Sequence, residues 1–287
     1  MAAAKYWFNV FNEALAGFLE DDGWAIASHI ALAMLTSLFP FLIFVTALAG
    51  FFGSKELADE AAKLLLESWP RQVADPIAAE IHNVLTQSRG DLLTVSAVLA
   101  LYFSSSSIEA LRVGLNRAYN VREARPWWLL RLESIAYVLV GATSLLLLAF
   151  LVVLAPVVAA TINRFLPDLA VLWQALALWR VVITIAALGL SLVIAHKWIA
   201  SGKRTMLQIA PGIALTLALS VGFAFAFGQY LGEFARNYVT TYAGLASVMI
   251  AIVFLYSLAA IFLFGGELNN AITKRARAIS LSKLDSH

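Results

Sequence analysis

Apolar residues dominate this 287-residue chain in long, barely interrupted runs, of which "ASHIALAMLTSLFPFLIFVTALAGFF" at 27–52 is the first. A bilayer core of about 30 Å needs roughly 20 apolar residues in a helix. Six runs meet that length: 25–52, 92–112, 132–162, 178–200, 205–232 and 243–271. Several exceed it, which predicts tilt or bending. Two segments follow another rule. In residues 1–24, Trp7, Phe11, Leu15 and Phe18 recur at helical spacing while Asn9, Asn12, Glu13 and Glu20 fall largely elsewhere, predicting an amphipathic helix in the membrane interface. In 53–91, Leu57, Ala61, Leu64, Leu65 and Trp69 share one face, and Ile77, Ile81, Val84 and Leu85 share a second, with Pro70 and Pro76 between them. A surface helical hairpin is expected there. The predicted fold class is all-α: a polytopic membrane protein with six transmembrane helices over 25–271, the N-terminal interfacial helix, the hairpin and a basic tail at 272–287.

Composition agrees. The chain is 61% hydrophobic and 13% charged, with mean hydropathy +0.82, where soluble domains run at roughly 45–50% and about 25%. A net charge of +2 implies no strong field for polyanions, and the absence of cysteine excludes a disulfide frame, thiolate metal ligands and a Cys nucleophile. The first 24 residues lack the pattern of a cleavable signal peptide. Six spans leave both termini on one side. With the termini inside, 13 basic residues fall in the cytoplasmic set and 7 in the opposite one, so the positive-inside rule predicts cytoplasmic termini and an extracytoplasmic hairpin. Trp24, Trp127, Trp128, Trp173, Trp179 and Trp198 lie at span ends, as headgroup-seeking residues should.

Polar side chains within spans are costly and face a partner or a cavity. His29, Thr36 and Pro40, spaced by seven and four, are expected to share an inward face. For His29, snorkelling to the interface is the competing expectation. Pro40 leaves the Thr36 carbonyl without its helical donor, to be satisfied by Thr36, Ser37 or a neighbouring helix. Ser105, Glu109, Arg112 and Asn116 form one stripe, with Glu109 and Arg112 able to pair at i, i+3. Gly265 and Gly266 suggest close helix approach, as do Gly141 and Gly189. Arg112 is expected to hold Glu267 ionised, with Glu109 as competitor. His29, Ser104 to Ser107, Glu109, Arg112, His196, Gln208, Glu267, Asn269 and Asn270 all lie toward the cytoplasmic ends of their spans. They predict a polar cavity open to the cytoplasm, although a structural salt bridge closing the bundle explains the stripe equally simply.

The stretches "SHIALAMLTSLFPFLIFVTALAGFFG", "ALYFSSSSIEALRVGLNRAYNV" and "YAGLASVMIAIVFLYSLAAIFLFGGELNNAI" resemble the YihY/virulence factor BrkB family of bacterial inner-membrane proteins. The Ser-Phe-Pro bend maps to Ser37, Phe39 and Pro40, and the Gly-x-Glu-Leu-Asn ending to Gly265, Glu267, Leu268 and Asn269. His29 departs from the pattern, standing where an aromatic is expected. The resemblance implies an inner-membrane protein with a transport or envelope role and no settled substrate; the family's former name, ribonuclease BN, is regarded as a misassignment. The expected function is transport of an amphipathic or charged solute, a lipid or an ion. The alternative is a non-transporting scaffold with a partner docked on 53–91. Membrane lipids are the expected partners. No enzyme activity, cofactor, metal or nucleic-acid partner is expected, since His29, His82, His196 and His287 are dispersed and no soluble basic surface offers room for RNA.

Overall fold

A computed structural model describes residues 2–51, 93–165, 185–242 and 246–284, with scattered residues between 60 and 75 and Val182. The hairpin expected over 53–91 and the residues His82 and His287 lie outside the described residues. Among the described residues the chain is all-α, with seven helices: α1 (Ala2–Glu20), α2 (Gly23–Phe51), α3 (Leu93–Ala118), α4 (Trp127–Phe165), α5 (Ile185–Ile199), α6 (Met206–Tyr242) and α7 (Ala246–Leu284). Five contain segments long and apolar enough to cross a membrane: Gly23–Val45, Ala97–Ala118, Trp127–Leu147, Met206–Glu233 and Val248–Ala278. The described part of α5 is apolar but shorter. The basic tail is no separate segment, because α7 runs through it to Leu284.

Local chemistry sets the helix ends. Asn120 adopts φ 51°, and its N–H reaches the Arg117 carbonyl at 2.7 Å while the Val121 N–H reaches the Asn116 carbonyl at 2.9 Å. Those two bonds satisfy carbonyls that a helix end leaves bare, and Asn tolerates the left-handed conformation they need. Thr205 opens α6: its N–H donates to Gln208 Oε1 at 2.9 Å, the reach-back half of a capping box. At the end of α5 the ladder slips to a wider turn, with the Ala200 N–H bonded to the Ala195 carbonyl at 3.2 Å. Such π turns cluster at functional positions.

α2 packs against α3 and α7, α6 against α7, and α1 lies along α7. The inner faces of α2, α3 and α7 interlock through Ile30, Leu115 and Leu263, while Phe223, Phe227 and Phe254 stack between α6 and α7. α1 buries Val10 and Ala14 against Leu268 and Ala271. It leaves Trp7, Phe8, Phe11, Leu15 and Leu19 exposed.

The tightest approach is between α6 and α7 at Gly212 and Gly265. A Cβ on Gly212 would collide with the Gly265 carbonyl, and one on Gly265 would stand 2.9 Å from the Gly212 carbonyl. Two backbones meet here, so no side chain can swing away. Gly266, facing α3, would place a Cβ 3.1 Å from that of Ala118. Gly141, expected to pack, has nothing within 4 Å. Gly212→Ala should therefore destabilise the fold by about 1–3 kcal/mol, the usual cost of overpacking. Gly141→Ala should do no harm, since alanine also favours helix. Thermal unfolding of the two variants in one detergent checks the contrast.

Candidate functional site

Asn269, 1% exposed on α7, stands beside that crossing. Its Oδ1 accepts the Gly212 N–H at 2.7 Å, which fixes the amide's orientation because a backbone N–H can only donate. Its two amide hydrogens then go to the Ile209 carbonyl and the Tyr119 hydroxyl, both at 3.1 Å. One side chain thus ties α7 to the first turns of α6 and to the residue following α3. Pro211 makes this region of α6 receptive, since a proline lacks an N–H and crowds the preceding turn.

Tyr119 passes the chain of bonds onward. Its hydroxyl, having accepted from Asn269, lies 2.6 Å from Nδ1 of His196. Assigning the phenol as donor leaves the fewest buried groups unpaired, and it puts the neutral ring's proton on Nε2. His196 is fully buried in the π turn of α5, against Phe262, and Nε2 has no partner among the described residues. The Arg204 guanidinium lies 3.7 Å from the centre of the Tyr119 ring, a cation–π contact. Burial pushes the Tyr119 hydroxyl up to about 12, against the Asn269 hydrogen bond and Arg204, so it stays a donor. Burial also pulls the Arg204 guanidinium down, opposed by Tyr119.

A second branch runs through Asn116. Its Oδ1 accepts the Ser201 N–H at 2.6 Å and its amide donates to Glu123 at 3.0 Å. Arg125 grips Glu123 with two side-chain bonds of 2.8 Å, reaches Glu133 on α4 at 2.7 Å and caps the Ile199 carbonyl of α5 at 3.2 Å. The Arg125 hydrogen bonds, assisted by Asn116, hold the Glu123 carboxyl down to about 2 despite partial burial. Beyond Glu133, Arg112 donates to Ser134 at 2.9 Å and the Leu130 carbonyl at 3.1 Å, and Glu109 pairs with Arg131 at 2.7 Å. Beside this branch opens a polar pocket of about 360 Å³, lined among others by Asp21, Asn116, Arg117, Asn120, Arg122 and Glu123.

The family model described as virulence factor BrkB matches residues 14–285. This chain belongs to the virulence factor BrkB family. Among its relatives is YfkH of Bacillus subtilis, whose name calls it ribonuclease-like; it is 26% identical over 93% of this chain and 96% of its own length. A UPF0761 membrane protein of Rhodospirillum centenum is 28% identical over 90% of this chain and 56% of that protein. No solved structure matches.

In this BrkB-family protein the residues singled out in the sequence separate into groups. Asn116, His196 and Asn269 enter the network, and Asn270 flanks it, donating to the Ala118 carbonyl at 3.0 Å. Ser105 is buried but bonds within its own helix, to the Tyr102 carbonyl at 2.6 Å. His29 and Thr36 are exposed, contrary to the expected inward face. α2 instead turns Ala27, Ile30, Ala31, Leu38, Leu42 and Val45 inward, so packing of apolar bulk sets its rotation. α2 also runs unbroken through Pro40, which is half-buried. The Thr36 hydroxyl serves the Leu32 and Ala33 carbonyls and Ser37 that of Ala33, one turn before the carbonyl that Pro40 deprives.

Arg112 does not meet Glu267, and its nearest carboxylate is Glu133, at 3.9 Å. Glu109 is likewise committed to Arg131 rather than to Arg112. Rotation explains the first correction. Gly114, Leu115 and Ala118 face α7, and at 100° per residue Arg112 is turned away toward α4. Gly266 faces α3, so Glu267 points elsewhere; its carboxylate packs over Gly17 of α1, where a Cβ would lie 2.6 Å away. Its strongest ionisable neighbour is Asp21. Tyr119, Arg125, Glu133 and Arg204 were missed because each sits at a span end, where aromatic and charged residues are ordinary.

The Glu123–Arg125 clasp gives a pH signature. A carboxyl held below its ordinary value of 4.5 contributes stability in full above that value and loses it as pH falls toward about 2. Wild type should exceed Glu123→Gln in thermal stability at neutral pH, and the gap should close between pH 4.5 and 2. A gap constant down to pH 2 would place the effect in shape rather than charge.

Proposed function

We propose that this protein is an inner-membrane transporter that admits an amphipathic or charged solute, a lipid or an ion, from a polar pocket facing the cytoplasm. The observation that carries the reading is the 360 Å³ pocket with Arg117 and Arg122 in its lining, sharing Asn116 and Glu123 with the network that joins α3, α4 and α5. A carrier needs such a site where helices that move against one another meet. In this reading α5 ends the fourth of six spans, and the excess of basic residues favours both termini in the cytoplasm. The exposed apolar side of α1, Trp7 to Leu19, lies in the lipid interface.

A scaffold role is the second reading. It is favoured by the dense pairing of Glu109, Glu123 and Glu133 with Arg131 and Arg125, which would bolt the helices together. A nuclease is disfavoured despite the name of the Bacillus relative. His196 is sealed from solvent and hydrogen-bonded through Nδ1, and His29 lies on the outer face of α2, so among the described residues no histidine pair is offered to a phosphodiester.

Full-length protein in liposomes, assayed with labelled phosphatidylglycerol, phosphatidylethanolamine, potassium, sodium and chloride, tests the choice. Transport predicts flux of one of these. Arg122→Ala should cut it about tenfold, as loss of one binding-site charge worth about 1.4 kcal/mol would. Absence of flux for the whole panel from folded protein would leave the scaffold reading standing.

A further inference from the structure

A second cavity, of about 270 Å³, opens between α2, α3 and α4, with Leu255 of α7 also in its lining. Its walls are residues 34–41 of α2, 104–108 of α3 and 137–141 of α4. Counted from Gly23 and Trp127, where those spans begin, and at about 1.5 Å per residue, the α2 and α4 walls lie roughly 15–27 Å into the bilayer. A hydrocarbon core is about 30 Å thick, so the cavity sits within it. The polar pocket lies farther along α3, at its C-terminal end, and the two share no lining residue.

The lining carries no ionised group. Its three serines are occupied within their own helices: Ser37 donates to the Ala33 carbonyl at 2.5 Å, Ser104 to Leu101 at 3.0 Å and Ser107 to Ser104 at 3.0 Å. With those donors committed, the Tyr137 hydroxyl is the remaining donor of a wall whose exposed surface is mostly apolar, so an apolar occupant would lose little there. Gly141 stands at the edge of the cavity with open space where a side chain would be. Next to it, Leu139 and Val140 are 40% and 60% exposed, so the opening is continuous with the apolar surface that faces hydrocarbon.

We infer that this groove is a binding site for one acyl chain of a membrane phospholipid, which enters sideways from the hydrocarbon layer past Gly141. Polarity complementarity selects the occupant: an uncharged, mostly apolar wall with the Tyr137 hydroxyl as its one uncommitted donor, at mid-bilayer depth, is matched by a hydrocarbon tail rather than by a charged headgroup. The site does not depend on the transport reading, because a scaffold would hold the same chain.

Photocrosslinking in liposomes tests it, with the full chain and a phosphatidylethanolamine carrying a diazirine in mid-chain. Adducts mapped by mass spectrometry should favour Phe41, Ile108 and Val138 over Leu139 and Val140, neighbours at similar depth that face bulk lipid. The expected enrichment is about tenfold, the occupancy ratio for a site preferred by about 1.4 kcal/mol. Gly141→Phe, built into open space, should bring groove labelling down to the bulk level and leave Leu139 and Val140 unchanged. If the phenylalanine variant does not fold, Gly141→Leu should give the same loss. Equal labelling of groove and outward residues in the wild type, or groove labelling indifferent to both substitutions, overturns the proposal.

Discussion

The three hydrogen bonds of Asn269 are the constraint around which the bundle is arranged. They are made where two glycine backbones touch, so the amide cannot be displaced without parting α6 from α7. Because each donor and acceptor of that amide is used, it also dictates how Tyr119 must turn its hydroxyl, and Tyr119 in turn dictates where His196 keeps its proton. A buried amide left half-satisfied costs about 1–3 kcal/mol per missing bond, so the network is close to all-or-none. Helix rotation, helix approach and the protonation of a buried ring are therefore one problem with one solution.

Charges around the α3–α4 junction are settled locally, whereas Arg275 of α7 pairs with Glu13 of α1. Arg131 meets Glu109, and Arg125 meets both Glu123 and Glu133, between neighbouring helices or within the loop that joins α3 to α4. Such pairing avoids the cost of an uncompensated charge at depth without requiring distant helices to find each other. It also leaves the polar pocket bordered by Arg117, which pairs with Asp22 at 3.8 Å, and by Arg122. The apolar groove lies at another depth with no charge in its walls. Two cavities of opposite character thus lie in one bundle.

Five of the six expected spans and several polar candidates were legible in the sequence for a plain reason: run length and a polar residue within apolar sequence are one-dimensional signals. Asn269, His196 and Asn116 stood out that way, and Gly265 beside Gly266 announced a close crossing. Azimuth is different. Whether Arg112 meets Glu267 depends on how far each helix is turned, and a residue or two changes the answer by 100–200°. The inward face expected for Thr36 and His29 failed for the same reason, since the bulk of Ile30, Leu38 and Leu42 sets the rotation of α2, and for His29 the competing interfacial position is the one compatible with its exposure. Tyr119 and Arg204 carried no signal, because an aromatic and a base at a span end describe a membrane boundary as well as a site.

The most direct measurement is the tautomer of His196. The chain holds four histidines, so ¹⁵N-histidine spectra assigned by single substitutions resolve each ring. The account predicts an Nδ1 without a proton that accepts a hydrogen bond, with the proton on Nε2, at neutral pH. A proton found on Nδ1, or a doubly protonated ring, would mean that Tyr119 does not donate to His196 and that Asn269 does not order the network.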